Sequence, residues 1–407
     1  AEAGESTREL ARRQNVQISV LSREGWNMAE DLSKKYRHFF PVFNNVTYIN
    51  SCSQGALSHQ VRASMDHYMD GMEAIGSDWN EWVSTQEEVR DHLAAIFHTS
   101  RENVALTTSA SASINSLMSA FDFRQGKKRI VTTSLEFPTM GQILHAQERK
   151  GAEVIHVAAD ENNILNLKKF EEAIDDRTAL VAVTHVCYRN GAMNDIESII
   201  NLAHNKGVPV LVDAYQSGGS KEINFDQLGA DFLVGGVLKY MLSMPGLGFM
   251  LVNKKSSLVP TDTGWFAARD IFAMKIDSYN PSPDARRFET GTPPIPSLYA
   301  AKAGLTFLRD VGVAESFKHS LKLHKQLREG VLALGGKLAT PADDLHHGAM
   351  LGIKSSDDHA LVDRLAEEKV IVSCRDGNLR VSPHFYNNSE DIDRCLTALA
   401  KHRSLLA

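Results

Sequence analysis

The sequence predicts an α/β fold built on a mainly parallel sheet, and three observations predict it. From about residue 84 short β-rich runs alternate with amphipathic stretches, the pattern of strands joined by covering helices. Most of those runs are apolar throughout instead of alternating, as expected of strands covered on both faces. Gly- and Pro-rich irregular chain then separates this region from a shorter helical one.

Taken in order, residues 1–45 are polar and weakly periodic, and are expected to form an N-terminal arm or helix packing with a small domain. Ser84 and Glu87 read as a capping box opening a helix with Val89, Leu93, Ile96 and Phe97 on one face. Strand-like runs follow at 103–107, 129–134, 153–158, 179–185, 208–214, 231–235 and 248–252. Most gaps between them hold amphipathic segments such as SINSLMSAF, GQILHAQERK, LKKFEEAI and DIESIINLAHNK. The stretch 254–296 carries KKSS, TDTG, NPSPD and GTPPIP and reads as irregular chain; SLYAAKAGLTFLRDVG after it reads as a helix. The expected division is therefore a large α/β domain over 46–296 and a smaller α+β domain over 297–407.

The chain has 407 residues, 44 Lys+Arg against 50 Asp+Glu, and a net charge of −6. Its 43% hydrophobic and 23% charged fractions exclude wholesale disorder. The mildly acidic balance gives no electrostatic reason to bind nucleic acid or an anionic membrane, so neither is expected as a partner. Cys52, Cys187, Cys374 and Cys395 form no CxxC pair, which points to a reducing compartment. The charged start AEAGESTRELARRQNV lacks the apolar core of a signal peptide, and no run approaches the roughly 18 apolar residues of a membrane span. A soluble cytoplasmic protein is expected. His346 and His347, adjacent and without a third donor at a usable offset, read as a solvated loop, and no metal is expected.

In open α/β sheets ligands bind outside the carboxyl ends of the strands, so the informative residues stand just after each β-run. VPVLVDAYQSGG places Asp213 at such an exit, followed by Gln216. DFLVGGVLKYMLSMPGLGFML places Lys239 in an apolar, glycine-flanked segment between two strands. Partial desolvation there lowers the lysine's pKa and frees its amine to attack a carbonyl. One βα unit apart in one sheet, the two groups can face a single cleft. No GxGxxG or GxxxxGK follows a strand, which argues against a nucleotide-binding protein.

With these residues the sequence resembles the class V aminotransferase family of pyridoxal 5'-phosphate (PLP) enzymes over roughly residues 45–400. The resemblance implies fold type I with a seven-stranded large-domain sheet, and PLP as cofactor. In that family the strand-end Asp pairs with the cofactor's pyridinium nitrogen, and a lysine about 25 residues later carries PLP as a Schiff base; Asp213 and Lys239 match. Gln216 matches the position that bonds the phenolic oxygen. ALTTSASASIN (105–115) resembles the small-residue turn that cradles the phosphate, which makes Ser109, Ala110 and Ser111 the phosphate candidates. Phe137 in SLEFPTM stands where the family stacks a ring on the pyridine, and VTHVCYRNG resembles SHVxNxTG, so His185 and Tyr188 are expected to line the pocket.

RRFETGTP (286–293) resembles the RxExGT signature, whose Thr reaches the phosphate of the neighbouring subunit. Thr292 is that candidate, and a homodimer with composite sites is implied. GNLRVSPHFYNNSEDID resembles RxSxHxYN, whose arginine pairs with the α-carboxylate of an amino-acid substrate; Arg380 takes that role. YINSCSQGALS (48–58) resembles the access loop bordering the substrate pocket, which brings in Ser53, and Trp265 in DTGWFAARD is expected near the cleft mouth.

Departures narrow the reaction. Cysteine desulfurases of the family carry a nucleophilic cysteine before the carboxylate-binding arginine, but Cys374 stands at a position the family normally fills with an ordinary apolar residue. Their ring-stacking histidine is Phe137 here, the histidine before the lysine is Leu238, and the serine three positions before it is Gly236. One phosphate contact must then come from elsewhere or be missing. The expectation is a lyase cleaving a C–S or related bond at Cβ without a protein persulfide. An aminotransferase and an amino-acid epimerase are the alternatives, with a cysteine desulfurase or a non-catalytic binding protein ranked below them.

Overall fold

The computed structural model describes residues 31–407, so the expected arm is described only from Asp31 onward. There the helix Leu32–Tyr36 and the following turns bury Tyr36 and Phe40, whose rings meet Phe307 and Phe385 edge-on at 5.4–5.8 Å. Arg37 donates to Asp391 at 2.6 Å, fastening this segment to the helix Ser389–Lys401.

Twelve strands follow in chain order: β1 (Thr47–Tyr48), β2 (Val104–Thr107), β3 (Arg129–Thr133), β4 (Glu153–Val157), β5 (Thr178–Thr184), β6 (Val210–Asp213), β7 (Phe232–Gly236), β8 (Gly248–Val252), β9 (Leu351–Lys354), β10 (Val370–Ile371), β11 (Ser373–Arg375) and β12 (Asn378–Val381). Seven of them make one sheet in the order β2-β8-β7-β6-β5-β3-β4. Only β8 runs against its neighbours, so the sheet is mainly parallel. Every residue of β5 to β8 is buried. Successive residues feed opposite cores: Val181, Val183 and Val212 face one layer, Leu180, Ala182 and Leu211 the other. That two-sided burial is why the sequence shows continuous apolar runs.

The remaining chain forms an antiparallel sheet, β11-β12-β9, backed by helices Val313–Ala333, Asp358–Glu367 and Ser389–Lys401, together with the parallel pair β1-β10. Among the described residues no helix is long and apolar enough to cross a membrane.

Two local expectations are corrected. The helix expected to open at Ser84 opens at Trp79, with Asp78 as N-cap accepting from the Glu81 N–H at 3.0 Å. Trp79 and Trp82, one turn apart, extend the helix toward its N-terminus, and Asp caps as well as Ser. His347 is not solvated: it is buried, stacks on His324 with ring centres 5.0 Å apart, and meets Asp344 through Nε2 at 3.1 Å. A bridge between Ala192 and His347 draws this loop onto the main body.

Candidate active site

Because β3, β5, β6 and β7 are parallel, their carboxyl ends share one edge of the sheet, and Asp213 ends β6 there. Its Oδ1 accepts the Tyr215 N–H at 2.9 Å, which turns the chain out of the strand. Burial pushes the Asp213 carboxyl up, while the Tyr215 amide and the positive charge of Lys239 pull it back. On the neighbouring strand end His185 is buried, its Nδ1 meets no partner, and burial with the charge of Lys221 holds it down to about 3, so it is a neutral ring. Beside them Glu136 receives Thr133 Oγ1 at 2.7 Å and the Thr184 N–H at 2.9 Å on Oε1. Its buried Oε2 has no partner, and desolvation pushes the carboxyl up to about 8.

Lys239 lies in the turn after β7, half-buried between two aromatic rings. Its Nζ is 4.4 Å from the ring centre of Tyr215 and 5.9 Å from that of Phe137. Desolvation brings its ammonium down to about 8, against the upward pull of Cys52 and Asp213 and with the help of Arg380 and Arg375. Lys239 therefore lies within electrostatic reach of both the strand-end carboxylate and the guanidinium of Arg380.

The helix Ala110–Met118 begins directly after β2, with Ser109 as N-cap accepting the Ala112 N–H at 3.1 Å. Its first N–H groups have no intrahelical acceptor and form an anion-seeking end. Gly248 stands opposite both Thr107 and Gly236 in register. A Cβ there would meet the backbone of Ser109 and Ala110, so β8 approaches this helix start as only glycine allows.

Arg380 is buried on β12. It donates to the Tyr188 carbonyl at 2.9 Å, to Ser53 Oγ at 3.1 Å and to Ser373 Oγ at 3.0 Å, and its buried Nε has no partner. The access loop is stitched at both ends: Ser51 N–H bonds the Ser382 carbonyl and Gly55 N–H bonds the Leu238 carbonyl. Gln216 Nε2 donates to the Cys52 carbonyl at 3.0 Å, leaving Oε1 buried and unpartnered. The Phe137 ring, 41% exposed, meets that of Tyr188 edge-on at 4.8 Å.

Contacts thus link Lys239 to Phe137, Phe137 to Tyr188, and Tyr188 through Arg380 to Ser53. The His185 N–H bonds the Asp213 carbonyl, Gln216 ties to the access loop, and Ser109 and Ala110 abut Gly248, with Ser111 next in the helix. Two expected residues do not enter those contacts among the described residues. Trp265 packs on Trp79 with ring centres 5.9 Å apart, and Thr292 is exposed on the irregular segment before helix Ile295–Val311. Cys374 faces away, its Sγ 3.7 Å from His359 Nδ1; with Asp358 it forms a donor trio within 4.8 Å that sequence spacing did not reveal. Four participants went unread: Tyr215, Glu136, Cys52 and Ser373. Each directly adjoins a residue that was singled out, Ser373 lying beside Cys374, but Ser373 joins the site through its register with Arg380.

A model of the aminotransferase class-V family matches residues 50–395. The chain belongs to that family. An uncharacterized aminotransferase, YcbU of Bacillus subtilis (strain 168), is 32% identical over 376 residues, covering 91% of this chain and 98% of that one. A kynureninase of Geobacillus thermodenitrificans is 25% identical, covering 89% and 90%. Among solved structures, an apo cysteine desulfurase from Thermococcus onnurineus superposes with a TM-score of 0.83 at 23% identity, over 93% of this chain and all of that one. A variant of C-DES with glycine covalently linked to its PLP cofactor gives 0.82 at 20% identity, over 89% and 98%. The fold of this class V family enzyme is fold type I.

Proposed function

We propose that this chain is a PLP-dependent enzyme acting on α-amino acids, cleaving a carbon–sulfur or related bond at Cβ without a protein persulfide. The observation that carries the cofactor reading is the Lys239 amine, held between the Phe137 and Tyr215 rings and within the field of buried Asp213. A flat heterocycle with a ring nitrogen, a phenolic oxygen and a phosphate fits the residues present. Asp213 offers an anion whose desolvation a cationic ring nitrogen would relieve, Gln216 Oε1 and His185 Nδ1 are buried without partners, and the helix Ala110–Met118 presents its N-terminus.

When bound, PLP supplies an electron sink for charge left at the substrate Cα. Asp213 would hold a proton on the ring nitrogen, and Phe137 would cover the ring. Arg380 receives the α-carboxylate with its planar fork, while Ser53 and Ser373 hold that fork in place. Lys239, at about 8, keeps roughly a tenth of its amines neutral at pH 7, so it can take a proton from Cα and return it.

The lyase reading is supported by Cys374, whose thiol lies on the far face of its sheet from Arg380, so that the thiol before the arginine is not available as a sulfur acceptor. Transamination is the second reading, favoured by the 32% identity to an uncharacterized aminotransferase. The test is a panel of S-substituted cysteines and other amino acids with PLP-loaded protein: pyruvate and ammonia without added keto acid support the lyase, and keto-acid-dependent transfer overturns it. We read the protein as a cytoplasmic homodimer in which Thr292, from the exposed end of the irregular segment, serves the second subunit's site. The division into a large domain over 46–296 and a small one over 297–407 belongs to the same reading.

A further inference from the structure

The residue three positions before Lys239 is Gly236, and the reason lies in Tyr215. A Cβ built on Gly236 would fall on the hydroxyl and ring of Tyr215, so the tyrosine fills the volume that any side chain at 236 would need. Tyr215 Oη has no hydrogen-bond partner among the described residues, and its ring is the one beneath the Lys239 amine at 4.4 Å. Tyr215 is partly buried, and its hydroxyl is free to donate to a ligand. Gly236 is paired in register with Gly248, and a Cβ on Gly248 would stand 2.6 Å from the Ala110 nitrogen. The tyrosine hydroxyl therefore lies beside the strand pair that abuts the N-terminus of helix Ala110–Met118, an end without its own acceptor.

We infer that Tyr215 is a phosphate-binding residue: its ring forms the floor of the cofactor site opposite Phe137, and its hydroxyl donates to the phosphate monoester seated at the Ala110–Met118 N-terminus. This rests on the PLP reading. It explains why the chain dispenses with a hydroxyl on residue 236: Gly236 and Tyr215 are a matched pair, the glycine vacating space that the tyrosine uses to bring a donor from the neighbouring strand end. Tyrosine also supplies what serine does not, an aromatic surface under the pyridine ring. Burial pushes the phenol up to about 12, with the Asp213 charge adding to the effect, so it is a donor throughout the working pH range.

The test compares two probes on cofactor-free protein by absorbance titration: PLP, and pyridoxal, which lacks the phosphate. Tyr215→Phe keeps the ring and removes the hydroxyl. A lost bond to a charged group predicts a PLP Kd weakened by about 10- to 100-fold, with pyridoxal binding as in wild type. Tyr215→Ala combined with Gly236→Ser clears the ring and puts a hydroxyl on residue 236 itself; it should recover part of the preference for PLP over pyridoxal that Tyr215→Ala loses. A Tyr215→Phe protein with the wild-type preference, or one that loses both probes equally, overturns the assignment. If wild-type protein takes up neither probe, the PLP reading itself fails first.

Discussion

Cys374 and Arg380 occupy adjacent antiparallel strands and point to opposite faces of the sheet they share. Ser373 is the residue registered with Arg380, and the two bond at 3.0 Å; Cys374 is registered with Leu379 and turns toward His359. With side chains alternating along a strand, one residue of offset decides which face a thiol serves.

Cys374→Ser should therefore leave turnover of cysteine-type substrates unchanged. Steady-state rates and intact-protein mass spectrometry after turnover check this. A sulfur adduct on Cys374, or a large loss of rate, contradicts the geometry.

Arg380→Ala should raise KM for α-amino acids and leave substrates with a blocked carboxylate little affected. Removing one member of a buried, hydrogen-bonded charge pair costs about 2–5 kcal/mol. Arg380→Lys restores the charge but not the fork, and should recover only part of the loss in kcat/KM.

Burial of Lys239 should make the cofactor-free enzyme less stable at neutral pH. Its folded value of about 8 lies below the unfolded 10.5, so between those two pH values the unfolded chain holds the extra proton and stability rises with pH. Cofactor-free Lys239→Met should melt above wild type at pH 7, the difference shrinking above pH 8 and vanishing near 10.5. Melting curves across that range check the sign.

Buried neutral histidines should contribute to the acid limit. His185 and His324 are held down to about 3 and His384 to about 4, chiefly by burial, against an unfolded value of 6.5. Below 6.5 the unfolded chain binds protons that the folded one refuses, so stability should fall as pH drops from 6.5 toward 4. His324→Phe, which keeps a ring against His347, should flatten that limb.

Glu289, within the RRFETGTP segment, receives Arg90 at 2.6 Å and the Leu106 N–H at 2.9 Å, all buried. Glu289→Ala removes the buried partner of the Arg90 guanidinium, leaving it Glu87 and the Val104 carbonyl, and should cost about 1–3 kcal/mol in chemical denaturation. Losing the partner of a buried charge is the reason, so Arg90→Met in that background should recover part of the loss.

The central strands were legible because a run buried on both faces is largely apolar, as in ALVAV (179–183) of β5. Asp213 and Lys239 were legible because they follow such runs directly. What the sequence concealed depends on pairing across distance. Ser373 acts through its register with Arg380, and Cys52 through the fold of the loop over Lys239. Tyr215 matters because of a glycine 21 positions away on the next strand, a relation no local pattern carries. Glu136 was passed over beside Phe137 because only the folded chain shows that its carboxylate is enclosed.

Residues 49–55 are anchored to the strand of Arg380 at one end and to the turn of Lys239 at the other. The spacing between a guanidinium and an amine is thus fixed by a short backbone strut, independent of whatever lines the rest of the cleft. All α-amino acids share the same separation between carboxylate and Cα, so on the proposed reading this gauge would accept them alike. Selectivity is left to walls that can be rebuilt without disturbing it.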